Sequence, residues 1–329
     1  MTHKLPVSIT EHTTLPLIAA PMFLVSGVEL VTAACKAGVI GTFPVLNART
    51  SEALDDWMQR ITNDLATAQA ANSAARIAPW GINLVTHRTN HRLQSDLDLT
   101  VKYKTPLVIT SLGSPAPAVE AVHSYGGLVF SDVINVSFAK KAAQAGIDGL
   151  VLVCAGAGGH AGTLSPFAFL KAVREFFDGI IVLAGAMSSG RDIRAAQVLG
   201  ADLVYFGTSF IATTESMATQ EYQQMLVEAT MDDLIYTNAF SGAYANMLKP
   251  SIVAAGIDPD QLKPKESVDF SHLVSGETKA WKHIWSAGQG VSFVREVQST
   301  AALVEQLRRE YDETVAAERR GDAWTNLLP

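Results

Sequence analysis

The chain is short of charge, of cysteine and of long apolar runs. Charged residues fill 17% of its 329 positions, 25 basic against 32 acidic, for a net charge of −7. That sign speaks against nucleic acid as the main partner. Only two cysteines are present, Cys35 and Cys154. They form neither a disulfide framework nor a metal-ligand spacing, so a reducing compartment is expected. Cys35 reads as buried on an apolar helix and Cys154 as core rather than nucleophile. No apolar run approaches a membrane span, and Met1–Pro6 lacks the apolar stretch of a secretion signal, so a soluble, cytoplasmic chain is expected. Solenoid repeats and low-complexity tracts are absent as well.

What is present is a repeated pattern. With 48% hydrophobic residues the chain can bury a large core. Short runs rich in Val, Ile and Leu recur at Leu17–Pro21, Val39–Phe43, Pro79–Leu84, Leu107–Leu112, Gly127–Val133, Gly149–Ala155, Gly179–Ala184 and Asp202–Gly207. They show little alternation, which suits strands buried on both faces of a parallel sheet. Amphipathic stretches separate them, at Val28–Ala37, Glu52–Ala68, Ala116–Ser124, Phe138–Ala145, Pro166–Phe176 and Arg191–Leu199. Gly38, Gly146 and Gly200 stand where left-handed helix caps belong. Eight strands alternating with helices over about 230 residues predict a TIM (β/α)8 barrel. The competing doubly wound sheet would need a glycine fingerprint after its first strand, and Ala20–Gly27 has none. From about Thr213 the pattern turns helical with Asn, Ser, Gly and Pro breaks. The expected organisation is a barrel over 1–212 and 276–329, with a smaller, mostly helical domain over 213–275 near the barrel mouth.

Barrel enzymes carry their function at the C-terminal strand ends. Here those ends read Pro21-Met22, Phe43, Asn83, Ser111, Asp132, His160, Gly185 and Gly207-Thr208. His160 lies among Gly156, Gly158, Gly159 and Gly162, residues without a Cβ that leave room for a flat ligand. An imidazole there can act as general base, hydrogen-bond donor or anion clamp. The backbone amides of Gly185, Ala186, Gly207 and Thr208, beside a helix N-terminus, read as a phosphate site. The Thr208 hydroxyl could add a bond to the phosphate, and Arg191 could pair with it or cap the helix. Asn83 offers an amide that donates and accepts at a ring edge, and Met22 a soft thioether against a ring face. His87 and His91, spaced by four residues at a helix start, lack a carboxylate partner, and no metal is expected. His3, His12, His123, His272 and His283 read as surface or packing groups.

Ala20-Pro-Met22, Gly81-Ile-Asn83, Gly158-Gly-His-Ala-Gly162, Ala184-Gly-Ala186, Leu199-Gly-Ala-Asp202, Gly207-Thr208 and Trp285-Ser-Ala-Gly-Gln289 together resemble the nitronate monooxygenases, formerly 2-nitropropane dioxygenases. These are FMN-dependent barrels related to the FMN-dependent enoyl-acyl-carrier-protein reductase. The resemblance implies that Met22, Asn83, Gly185, Gly207 and Thr208 bind FMN, with Ala20, Pro21, Asp132, Gly159, Ala184 and Ala186 lining the same site. It makes His160 the base that takes the α-proton of a nitroalkane, or the group that holds a nitronate. Electrons then pass to dioxygen, and carbonyl compound and nitrite result. The chain departs from the family in two ways. Phe23-Leu-Val-Ser26 stands where a glycine-rich continuation is common, and Asp132 stands where many relatives carry lysine. An anion there disfavours an anionic substrate or an anionic reduced flavin. Two other readings are an NAD(P)H-dependent reductase of quinones or enoyl thioesters, with Trp285 or Tyr244 as nicotinamide platform, and a non-catalytic flavin-holding or sensing protein. Trp281 and Trp285, read as exposed, leave room for a homodimer.

Overall fold

The computed structural model describes residues 5–267 and 283–320. Of the residues named above, His3, His272 and Trp281 lie outside the described residues. Eight parallel strands close a barrel, each near the run that predicts it: β1 (Leu17–Ala19), β2 (Ile40–Pro44), β3 (Trp80–Val85), β4 (Leu107–Ser111), β5 (Leu128–Val133), β6 (Gly149–Val153), β8 (Ile180–Ala184) and β9 (Leu203–Phe206). β9 closes on β1 with Tyr205 beside Ile18. Gly38, Gly146 and Gly200 take φ of +87°, +82° and +110° at their helix ends, as their positions predict. The helix Leu93–Lys102 escapes the sequence reading because the polar run before it carries no clear cap. His87 and His91 lie in the turns that precede this helix, not on it.

Strand alternation sorts the barrel into two packing layers. Ile18, Ile40, Ile109, Phe130, Val151, Val182 and Leu203 fill the interior, joined by the half-buried Tyr205. Phe130 is fully buried, and a Cβ on Gly149 would stand 2.6 Å from its ring, so this glycine makes room for it. The opposite strand faces meet the helices. Phe43 belongs to that outer layer, stacked on Trp80 at 6.4 Å and tilted on Trp57 at 5.6 Å. It does not reach the barrel mouth as a strand-end residue was expected to; Pro44, one residue on, does. The reason is parity: successive side chains point to opposite faces. Both cysteines are buried thiols whose burial pushes their pKa up to about 12, as expected of core groups.

After β9 the chain is less helical than its composition suggests. A helix at Gln220–Glu228 leads to an antiparallel ribbon of β10 (Leu234–Thr237) and β11 (Ala245–Leu248), then a helix at Lys249–Ala254. The Tyr236–Gly242 break is the turn of this ribbon and its approach. β11 also pairs with the two-residue β7 (Gly159–His160), with Ala245 opposite His160 and Asn246 opposite Gly159. The ribbon therefore clamps the loop after β6. The long helix Thr300–Arg320 returns to pack on Gly190–Leu199. It is held by Arg194–Glu318 at 2.9 Å and by Gly190, which leaves no room for a Cβ against Leu307 and Tyr311.

Candidate active site

The C-terminal strand ends open into one cavity of about 1000 Å³. Ala20, Pro21, Met22, Asn83, Asp132, Gly159, His160, Ala184, Gly185, Ala186, Gly207 and Thr208 all line it. Residues nearly 190 positions apart in sequence thus meet at one surface, because parallel strands all end at the same rim.

At the β8 and β9 ends, Gly185, Ala186, Gly207 and Thr208 line the cavity as a candidate anion cradle. Gly185 and Ala186 have consecutive positive φ, +120° and +58°. A Cβ on Gly185 would meet the carbonyls of Ala155 and Cys154 at about 3.0 Å. Gly207 is different: its φ is −111°, and a Cβ would stand 3.5 Å from Met22 Sδ and 3.7 Å from Ala20 Cβ, in ordinary contact. Its value to the site is close approach, not backbone freedom. Thr208 Oγ1 accepts from Gly288 N at 2.9 Å, which leaves its hydrogen for an acceptor in the cavity. The helix Gly190–Leu199 contributes nothing to the cradle, contrary to expectation. Ser188 N and Ser189 N donate to Asp192 Oδ2, and Gly190 N donates to Glu310 Oε2. Two carboxylates already occupy that N-terminus. Arg191 is exposed and away from the cavity, so it neither pairs with an anion in the cradle nor caps this helix.

The β1 loop is built around Asn47. Its amide donates to Met22 O at 3.0 Å and Ser26 O at 2.8 Å and accepts from Leu24 N at 2.9 Å. Ser26 Oγ accepts from Met22 N and donates to Ala20 O. These bonds hold Leu24 at φ +60°, a conformation that usually calls for glycine. Asn47 thus does by side-chain bonding what a glycine-rich loop does by backbone freedom. On β3, Asn83 Nδ2 donates to Ile109 O and Ser111 Oγ, both at 3.1 Å. Ser111 Oγ also stands 3.4 Å from Asn83 Oδ1.

The floor carries two unsatisfied groups. Asp132 Oδ1 and Tyr205 Oη are buried with no hydrogen-bond partner among the described residues. Both side chains point into the barrel by strand parity and line the cavity. Desolvation lifts the Asp132 pKa to about 7, and burial followed by the Asp132 charge raises that of Tyr205. Asp132 is only half-buried by accessible surface, yet the surface it exposes faces the cavity rather than bulk water. Unpaired buried polar atoms are costly in a folded chain and mark a place where a ligand's polar edge fits. Tyr205 went unnoticed in the sequence; its spacing of two from Gly207 on an inward-facing strand was the available signal.

His160 sits across the mouth in β7. Its Nε2 lies 3.1 Å from Ser241 Oγ, and that hydroxyl donates to Ala243 O at 3.2 Å. With its hydrogen directed at Ala243 O, the hydroxyl is an acceptor toward Nε2. Ser241 is buried, and Asn246 Nδ2 donates to Ala157 O at 2.7 Å beside it. These two positioning groups come from the ribbon, so the post-barrel segment, not the barrel, orients the histidine. Tyr244 lines the cavity, whereas Trp285 stacks on Tyr222 at 4.9 Å and does not reach it. That packing also removes Trp285 as an exposed dimer contact.

A model of the nitronate monooxygenase family matches residues 6–310. A nitronate monooxygenase of Paraburkholderia phytofirmans is 28% identical over 91% of this chain and 93% of its own length. One from Neurospora crassa is 24% identical over 91% of this chain and 89% of its own. Among solved structures, a nitroalkane oxidase from Streptomyces ansochromogenes shares the fold with a TM-score of 0.79 at 24% identity, covering 95% of this chain and all (100%) of its own. FabK from Thermotoga maritima shares it at 0.75 and 21% identity, covering 95% and 97%.

Proposed function

Because the chain belongs to the nitronate monooxygenase family and is an oxidoreductase, we propose that it is an FMN-dependent enzyme that oxidises alkyl nitronates or nitroalkanes with dioxygen to carbonyl compounds and nitrite. What supports this reading is that the strand-end glycines Gly185 and Gly207 and the imidazole of His160 line one cavity. The cradle of Gly185, Ala186, Gly207 and Thr208 fits a phosphate, and Met22 with Ala20 and Pro21 forms an apolar wall for a ring. Asn83, Asp132 and Tyr205 present polar groups to the ring's edge, and Ala184 and Gly159 leave space beside it. FMN, when bound, supplies the electron transfer. His160 removes the α-proton of a neutral nitroalkane, with Ser241 positioning its ring. Toward a preformed nitronate the protonated ring, an imidazolium, donates and holds the oxygen. The region 213–275 acts as the substrate-side domain, since its ribbon aligns His160.

Asp132 favours a second reading, an NAD(P)H-dependent reductase of quinones or enoyl thioesters. A carboxylate on the floor opposes an anionic nitronate but not a neutral acceptor. One experiment separates the two. The flavin-loaded protein is mixed anaerobically with a nitronate, with NADH and with NADPH in separate cuvettes. Loss of the visible flavin band with nitronate alone supports the monooxygenase; loss with a pyridine nucleotide moves the assignment to the reductase. His160→Asn should keep the band and lose turnover on neutral nitroalkanes while sparing nitronates. A protein that cannot be loaded with FMN refutes both readings.

A further inference from the structure

The cavity is as large as such sites usually become. A pocket for a single small molecule runs to roughly 300–1,000 Å³, and this one, at about 1000 Å³, stands at the top of that range. Its outer part runs from the loops that follow β4 and β5 to the ribbon beside His160. Its walls are apolar and unusually open. Ile134 is 39% exposed, Phe138 50%, Tyr236 37% and Tyr244 50%.

All four line the cavity. Tyr236 and Tyr244 stack at 5.0 Å. Both are tied to Ala161, Tyr236 Oη donating to its carbonyl and its amide donating to Tyr244 O. The next residue, Gly162, packs so closely on Ile134 that a Cβ would stand 2.8 Å from Ile134 O. Ile134 leads into the helix Val136–Gln144, whose Phe138, Lys141 and Ala142 share the cavity-facing side at a spacing of three and four. Lys141 is exposed at the rim and has no ion-pair partner among the described residues. Asp132 stands at the opposite, inner end. One cavity thus carries an acidic group at its floor, a cation at its rim and exposed apolar side chains between them. A molecule with an anionic end is repelled from the floor and attracted to the rim.

We propose that this outer lobe binds the apolar body of the substrate, an alkyl chain or ring system ending in an anionic group such as a carboxylate, with that end at Lys141 and the reacting end turned inward. The natural substrate is then a bulky amphipathic compound rather than a small nitroalkane. The orientation of the reacting end rests on the function proposed above; the binding does not.

The test is calorimetric titration of the flavin-loaded protein with butanoate, hexanoate, octanoate and octan-1-ol. Affinity should rise about fourfold per methylene that enters the lobe, and octanoate should bind more tightly than octan-1-ol. Lys141→Glu should abolish the preference for the carboxylate while leaving octan-1-ol unchanged. Ile134→Asp should flatten the dependence on chain length, and so should Phe138→Ser, at a half-exposed position the core does not need. A flat series in the unaltered protein, or a carboxylate preference that survives Lys141→Glu, overturns the inference. The titration uses no turnover. Octanoate binding in a protein inert toward nitronate, NADH and NADPH would therefore refute the proposed function and leave the lobe standing.

Discussion

Replacing Asp132 by asparagine should stabilise the flavin-free protein, and only where the carboxyl would ionise. Desolvation lifts its pKa from the ordinary 3.8 to about 7. Below pH 3.8 the carboxyl is protonated in both the folded and the unfolded chain and no penalty exists. As pH rises, the unfolded carboxyl ionises first while the folded one keeps its proton, so stability falls until about pH 7 and then stays low. At 1.36 kcal/mol per pKa unit the full effect is about 4 kcal/mol. Water admitted to the cavity softens it to about 2–4 kcal/mol. Asparagine has the same shape and no charge. Unfolding entropy of roughly 2.1 cal/mol/K per residue converts the gain to about 3–6 °C in Tm for a chain of this length. Scanning calorimetry at pH 8.5 and pH 5 reads it: the gain should appear at pH 8.5 and shrink to less than half at pH 5. An equal gain at both values, or a loss at pH 8.5, would mean that Asp132 is solvated or paired and would refute the reasoning.

Two further substitutions probe the cradle and the frame. Gly207→Ala adds a Cβ in ordinary contact with Met22, so the flavin-free Tm should move by no more than about 1 °C. FMN affinity, measured by equilibrium dialysis, should fall about tenfold or more, because the methyl occupies the place of close approach; undiminished binding would remove Gly207 from the phosphate site. Gly190→Ala should cost about 2–3 kcal/mol in urea unfolding, since its Cβ would overlap the backbone of Leu307 and Tyr311. An unchanged urea midpoint would show that the long helix Thr300–Arg320 shifts without cost.

Much of the barrel was legible because its signals are local. The Val-, Ile- and Leu-rich runs mark strands buried on both faces, and Gly38, Gly146 and Gly200 mark helix ends by a backbone requirement few other residues meet. The β10–β11 ribbon was not legible. Its strands are four residues each, and its pairing with Gly159–His160 spans some eighty positions. Nor could the sequence reveal that the Gly190–Leu199 N-terminus is already taken, because Glu310 reaches it from a helix more than a hundred residues away.

The sequence by itself determined the strand count and the residues that gather at one rim, from Ala20 to Thr208, since a parallel barrel brings every strand end to one side. Tertiary structure alone decided which way each side chain faces and what it meets. Phe43 turned to the helices and Pro44 to the cavity by the parity of one residue. His160 acquired a side-chain partner in Ser241 (3.1 Å). Asp132 acquired its high pKa and its unpartnered neighbour Tyr205 from burial at the barrel floor. Periodicity is a property of neighbours along the chain, whereas desolvation, hydrogen-bond saturation and the choice of partner are set by groups that meet only after the barrel has closed.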